Sequence, residues 1–180
     1  MTRARAAAGS IVFLAVAPGV VAGLMPYWLT DGWESTGPAL VWKLIGAVLI
    51  AAGVAVLLNA FARFVVEGIG TPAPVAPTRH LVVGGLYRYV RNPMYVAVAA
   101  TIIGQAALLG RPALLLYAAL FMAAVAAFVY AYEQPVLSER FGADYERYRR
   151  NVPAWWPRLR PWTGAASGRA SSGRPSDGDA

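Results

Sequence analysis

The sequence has 180 residues, of which 58% are hydrophobic and 14% are charged, and its formal net charge is +7. An average soluble domain carries roughly 25% charged residues, so this composition indicates a membrane protein. The absence of cysteine and the single histidine exclude disulfides, thiol nucleophiles and histidine-rich metal sites. The positive charge therefore favours anionic membrane lipid as a partner, and no nucleic acid is expected.

Four apolar runs each come close to the length of about 20 residues that a helix needs to cross a bilayer. The first run is not read as a signal peptide, because its apolar part is too long and three more runs follow. The sequence therefore predicts four transmembrane helices, at residues 10–29, about 40–61 (extendable to 66), 93–109 and 112–132.

The distribution of basic residues predicts how these helices are oriented. Arg3 and Arg5 precede the first run, and most other basic residues fall in the second connection or after the fourth run. Of the 16 Lys and Arg, Lys43 and Arg111 alone fall on the opposite side. Positive residues stay in the cytosol, so we expect both termini there, in a bacterial-type inner (plasma) membrane.

The rest of the chain suggests one domain with a tail. Residues 1–66 hold the first two runs, and residues 67–160 hold a proline-stiffened loop, two further runs and an interfacial C-terminal helix. Residues 161–180 are predicted to be a disordered tail, because the sequence from Thr163 onward has nothing to bury. The fold class is therefore an all-α, polytopic membrane helix bundle with about four transmembrane helices.

The C-terminal helix is predicted from an apolar stripe on a basic background. Pro135 is expected to begin it, because proline fits the first turn of a helix but not its interior. Such a helix lies on a membrane surface, here the cytosolic one. Its apolar positions recur every three or four residues: Leu137, Phe141, Tyr145, Tyr148 and Val152.

The stretch "LYRYVRNPMYVAV", residues 86–98, places a polar cluster against the start of the third run. Asn92 is a good N-cap and Pro93 a preferred first helical residue, so the helix is predicted to begin there. The positive end of a helix binds anions, and Arg91 adds a full charge. With Tyr87 and Tyr95 nearby, the cluster suits a ligand that carries an anion and a flat ring. Alternatively, these are ordinary interfacial residues whose arginines touch lipid phosphates.

Glu133 ends the fourth run on the same side of the membrane. A carboxylate at that depth is costly unless it is paired or functional. One interpretation is a salt bridge to Arg88 or Arg91. The other is an acceptor for ligand hydroxyls, or a partner for a ligand cation, in one pocket with the polar cluster.

Two stretches, "LVVGGLYRYVRNPMYV" and "YEQPVLSERFGADYERYRRNVPAWWP", together resemble the isoprenylcysteine carboxyl methyltransferase and phospholipid methyltransferase superfamily. Its members are integral membrane enzymes that use S-adenosylmethionine. The similarity covers about residues 68–157 and preserves the order and spacing of the motifs. Arg91 and Glu133 are predicted to act in catalysis. The similarity implies a set of residues around the cofactor: His80, Leu81, Val82, Tyr87, Asn92, Pro93, Met94, Tyr95 and Glu133.

Three positions depart from the family pattern. Gln134 replaces the second glutamate of a pair, and Asn92 replaces a histidine and so cannot act as a titrating base. Val129 stands where members that methylate prenylcysteine place an arginine, which argues against that substrate.

The expected function is methyl transfer from S-adenosylmethionine to a lipid-like or small hydrophobic acceptor, through a carboxylate or an amine. The alternative is a non-catalytic membrane protein whose basic cytosolic face binds lipid or a partner. A third possibility is a protein that has the family's fold but does not methylate, as in relatives linked to denitrification or to reduction of lipid-like double bonds. The acceptor and the oligomeric state are left open.

Overall fold

The computed structural model describes residues 16–66, 81 and 83–164. In these ranges every regular element is helical and no strand occurs, which confirms the all-α class for this part of the chain. The elements are α1 (Val16–Leu29), α2 (Leu40–Val66), a 3₁₀ helix (Gly85–Arg88), α3 (Pro93–Leu109), α4 (Ala113–Phe128) and α5 (Gln134–Asn151).

Two helical stretches are long and apolar enough to cross a membrane, Leu40–Ala62 and Ala113–Asn151. The second joins α4 to α5. Helices α1 and α3 are apolar but shorter, so their crossing of the membrane stays a prediction. The connections before α2 and after α3 meet at one end of the bundle, where an Arg111 Nη2 lies 3.3 Å from Glu34 Oε2.

Helices α2 and α3 form the main contact of the bundle, through small residues that let the two backbones approach closely. A Cβ placed on Gly46 would lie 2.5 Å from the carbonyl oxygen of Gly104. Helix α4 packs against the other side of α3. The buried apolar core lies along these contacts and contains Leu57, Phe61, Ala97, Val98, Ile102, Ala106, Leu109, Leu114 and Ala118.

Two π-helical turns carry the chain past prolines. They are Val20–Leu24 in α1 and Val129–Glu133 between α4 and α5, and Pro26 and Pro135 follow each turn by two residues. Proline has no N–H and its ring crowds the preceding turn, and a wider turn accommodates both without ending the helix. Helix α5 begins at Gln134 with Pro135 in its first turn, as predicted, but the π-helical turn joins it to α4 without a break.

Helix α5 bends at Gly142, which has a φ of +51° and a ψ of −128°, outside the helical region. The bend turns the second half of the helix, and residues 152–162, here called the C-terminal segment, then run back across residues 88–92. Trp162, just beyond the boundary predicted at residue 160, packs on Tyr148 with ring centroids 5.5 Å apart. The predicted apolar stripe consists of Leu137, Phe141, Tyr145, Tyr148 and Val152. Its side chains pack together with Leu81 and Val83.

Candidate functional site

Helix α3 begins at Pro93, as predicted, but its first turn is not capped by Asn92. The Nδ2 of Asn92 instead donates to the carbonyl oxygen of Ala154 at 3.2 Å, and so does its backbone N–H. Because the side chain of Asn92 binds the Ala154 carbonyl, it does not cap the helix, and the prediction of a side-chain cap is wrong. As a result, the N–H groups of Met94 and Tyr95 have no acceptor among the described residues. They are available to an anion.

The C-terminal segment holds the loop that precedes α3. The N–H of Arg91 donates to the carbonyl oxygen of Pro153 at 2.9 Å, and the N–H of Arg158 donates to that of Tyr89 at 3.0 Å. These hydrogen bonds satisfy backbone groups of the loop and attach it to the C-terminal segment. The segment therefore forms one wall of the region around the start of α3.

Tyr87 lies in the 3₁₀ helix and joins three parts of the fold. Its ring is buried beside Ala60 of α2 and Met94 of α3. Its carbonyl oxygen accepts a hydrogen bond of 2.7 Å from the Tyr148 hydroxyl of α5. Burial raises the pKa of the Tyr87 hydroxyl well above its ordinary value, so this hydroxyl is neutral at physiological pH.

Tyr95 and Glu133 meet at the junction of α3 with the second π-helical turn. The Tyr95 hydroxyl donates to Glu133 Oε2 at 3.3 Å. Within the described part of the chain, no Lys or Arg nitrogen lies within 4.0 Å of the Glu133 carboxylate. The structure thus places Tyr95 next to Glu133, and no salt bridge from Glu133 to Arg88 or Arg91 occurs among these residues.

Arg91 lies beside this pair. Its Nη1 donates to the Tyr145 hydroxyl at 3.4 Å, and its charge acts on Glu133 through space. Its Nε is buried with no acceptor in the part of the chain that the structure describes, as is the Nε2 of Gln134. Buried donors without partners are costly, so both groups are suited to a ligand that brings acceptors.

The structure brings some of the predicted site residues together and places others elsewhere. The structure brings together Tyr87, Met94, Arg91, Tyr95 and Glu133, while Pro93 is buried at the start of α3. Leu81 packs instead on the apolar face of α5. His80 and Val82 lie outside the described residues.

Several residues of this region were not singled out from the sequence. Tyr145 and Tyr148 were assigned to an apolar stripe, but their hydroxyls bind Arg91 and the Tyr87 carbonyl. The available signal was the presence of tyrosine at two positions of the stripe, where an apolar side chain without a hydroxyl would have been sufficient. Trp155 donates from Nε1 to the Tyr130 hydroxyl at 3.1 Å. The sequence near either residue gave no indication of this contact, because the two residues are 25 apart.

A family model for phospholipid methyltransferase matches residues 41–144, which is more than half of the chain. No curated protein and no solved structure matches the chain. The matched region contains α3, α4, Arg91, Tyr95 and Glu133. The resemblance seen in the sequence is therefore confirmed. The family implies methyltransferase activity, and together with the two long apolar helices it supports a membrane location. The chain belongs to the phospholipid methyltransferase family.

Proposed function

We propose that the protein transfers a methyl group from S-adenosylmethionine to a lipid-like or small hydrophobic acceptor that carries an amine or a carboxylate. The family supplies the class of reaction. The observation that carries the rest is the 3.3 Å hydrogen bond between Tyr95 and Glu133 beside Arg91. S-adenosylmethionine, when bound, supplies an electrophilic methyl group on a sulfonium sulfur.

The residues present fit this cofactor. Its carboxylate suits the N–H groups of Met94 and Tyr95 and the Nε of Arg91, none of which has an acceptor among the described residues. Its ribose hydroxyls and cationic groups suit the Glu133 carboxylate, which a hydrogen bond already orients. The buried ring of Tyr87 packs against Met94 and supports the first turn of α3 from the side of α2. Donors and an acceptor are thus matched to opposite parts of one ligand.

The chemical work of the protein in such a reaction is alignment and the exclusion of water. Holding an acceptor in line with the reacting carbon can supply about 7–11 kcal/mol of the barrier. A carboxylate acceptor is ionised at neutral pH and needs no base. An amine acceptor must give up a proton, and the Glu133 carboxylate is the group that would take it. Tyr95 would keep that carboxylate in position.

The acceptor is expected to enter sideways from the bilayer, near the ends of α3 and α4 that carry Tyr95 and Glu133. Many side chains of α4 are exposed and apolar, such as Leu116 and Leu120, as a lipid-facing helix requires. On this proposal the site faces the cytosol of a bacterial-type cell, with both termini on that side. Arg88 and Arg91, just before Pro93, support this orientation.

The test is calorimetric titration of S-adenosylmethionine into the full-length protein in detergent, as wild type and as the variants Glu133→Gln and Glu139→Gln. We expect Glu133→Gln to weaken binding by at least about tenfold, because it removes a charged hydrogen-bond partner. The control position Glu139 is exposed and makes no hydrogen bond or ion pair within the described structure. Its variant should bind within about twofold of wild type, as surface substitutions usually do.

Each other result has a definite meaning. A folded wild-type protein that binds no S-adenosylmethionine would contradict the proposal and favour a non-catalytic membrane protein. Equal binding by Glu133→Gln and wild type would contradict the role of this carboxylate. Binding without a labelled product, when labelled cofactor is incubated with total membrane lipid, would favour a scaffold that has lost methylation.

A further inference from the structure

The 3₁₀ helix Gly85–Arg88 presents different sides to different surroundings, because successive residues of a 3₁₀ helix point about 120° apart. Tyr87 is buried between α2 and α3, next to the proposed cofactor site. Arg88, the next residue, therefore leaves the helix on another side. The side chain of Arg88 is only partly buried.

A hollow of about 560 Å³ lies on that other side. It is bounded by the end of α2 and by the loop that leads into α3. None of its described lining residues belongs to the proposed cofactor site, and one of them carries a charge. In the part of the chain that the structure describes, the lining consists of Asn59, Gly84, Gly85, Leu86, Arg88 and Tyr89.

The guanidinium of Arg88 is held in place by the C-terminal segment. Its Nε donates to the carbonyl oxygen of Trp162 at 2.7 Å, and the N–H of Trp162 donates to the carbonyl oxygen of Arg88 at 3.0 Å. This reciprocal pair leaves both terminal nitrogens of Arg88 without an acceptor among the described residues. Fixed in this way, the two nitrogens form a planar pair of donors that matches the oxygens of a phosphate.

The charge of Arg88 also lacks a partner. No carboxylate oxygen in the described ranges lies within 4.0 Å of its guanidinium. An oriented guanidinium that is partly exposed to solvent can pair with the oxygens of an anion. Across the hollow, the exposed amide of Asn59 forms no hydrogen bond within the described structure and can donate to the same anion.

We propose that this hollow binds a phosphate group between the terminal nitrogens of Arg88 and the amide of Asn59. A phospholipid headgroup is the favoured source. Asn59 lies in a helix long and apolar enough to cross the membrane, and the neighbouring side chains Leu58 and Val54 are exposed. Acyl chains of a lipid bound here would lie along that apolar surface. The site is separate from the proposed cofactor site and does not depend on it.

The test measures lipid retained by the full-length protein in detergent, by native mass spectrometry. The probes are phosphatidylglycerol, diacylglycerol with the same chains and no phosphate, and inorganic phosphate alone. We expect retention of phosphatidylglycerol and not of diacylglycerol. Arg88→Gln should weaken retention by about tenfold, because a charge-assisted hydrogen-bond pair is lost. The control Arg150→Gln removes an exposed charge of the same sign and should have little effect.

Because Arg88→Gln also removes the bond to Trp162, its folding is checked by its melting temperature. Asn59→Leu leaves that bond intact and should still lower retention by a few-fold. Competition by inorganic phosphate at concentrations similar to those of the lipid would identify a free anion as the ligand and support the phosphate site. Equal retention by wild type, Arg88→Gln and Asn59→Leu would overturn the proposal, and so would equal losses in Arg88→Gln and Arg150→Gln. No cofactor is present in this assay, so its result is independent of methyl transfer.

Discussion

The Tyr95 hydroxyl on the first turn of α3 donates a 3.3 Å hydrogen bond to Glu133, the last residue of a π-helical turn. The π-helical turn passes Pro135 without ending the helix, and Glu133 lies at its end. One polar contact thus joins the start of one apolar helix to the end of another. Irregular turns of this kind often lie at functional sites.

The first prediction concerns this contact. Tyr95→Phe keeps the ring and removes the hydroxyl, so Glu133 loses its oriented partner and cofactor affinity should fall by about fivefold. Combined with Glu133→Gln, the effect should be less than additive by about 1 kcal/mol, since each change removes the same bond. Calorimetric dissociation constants for the four proteins give this coupling. The exposed neighbour Tyr132 provides the control Tyr132→Phe, and strictly additive effects would contradict a shared role.

The second prediction concerns the attachment of the C-terminal segment. Asn92→Ala removes the bond from Nδ2 to the Ala154 carbonyl and should lower the unfolding free energy by about 1 kcal/mol. It should also speed hydrogen exchange at the N–H of Arg158, which donates to the carbonyl of Tyr89. Exchange measured by mass spectrometry checks this. Asn151→Ala removes an exposed bond to the Arg147 carbonyl and is the matched control. Unchanged exchange in Asn92→Ala would show that the segment is held elsewhere.

The sequence could predict the parts of the site that local chemistry determines. The start of α3 follows from Asn92 and Pro93, because the fixed φ of proline suits the first turn. The meeting of Tyr95 with Glu133 follows from the apolar runs, since two adjacent helices with a short connection between them bring their far ends to the same side.

The remaining contacts could not be predicted, because their partners carry no local signal. Ala154 acts through its backbone carbonyl, which every residue has, and it lies 62 residues from Asn92. The same holds for the carbonyl of Trp162 that fixes Arg88. The π-helical turns depend on how a proline is accommodated by tertiary packing, so Pro135 alone could not distinguish a wide turn from a break.

The third prediction concerns the π-helical turn of α1. Gln105 on α3 donates from Nε2 to the Ala22 carbonyl at 2.7 Å, and the Tyr117 hydroxyl on α4 donates to the Val21 carbonyl at 2.9 Å. The turn thus presents carbonyls to two neighbouring helices. Gln105→Leu should lower the unfolding free energy by about 0.6 kcal/mol, the average for such bonds between membrane helices, and by about 1.7 kcal/mol at most.

Denaturation in mixed micelles measures the loss of unfolding free energy for Gln105→Leu and for Tyr117→Phe. The control is Tyr27→Phe, since the exposed Tyr27 hydroxyl makes no hydrogen bond within the described residues. Stabilities of all three variants equal to wild type would show that the carbonyls of the turn need no side-chain donors.

The fourth prediction concerns a second close approach of α2 and α3, at Gly53. A Cβ on Gly53 would meet Thr101 Oγ1 and would lie 2.8 Å from the carbonyl oxygen of Ala97. A backbone oxygen cannot move aside, so Gly53→Ala must push the helices apart, at a cost of about 1–3 kcal/mol. The control is Gly23→Ala, because nothing lies within 4 Å of a Cβ there. Denaturation in mixed micelles should give a lower free energy of unfolding for Gly53→Ala than for Gly23→Ala.

The same substitution also reports on the candidate site. Tyr87 is buried against Ala60 of α2 and Met94 of α3, so a wider gap between these helices displaces it from the start of α3. Gly53→Ala should therefore weaken S-adenosylmethionine binding although Gly53 lies about two helical turns from Ala60. Lower stability with unchanged cofactor affinity would mean that Tyr87 keeps its position when α2 moves, and that α3 and the C-terminal segment alone hold the site in place.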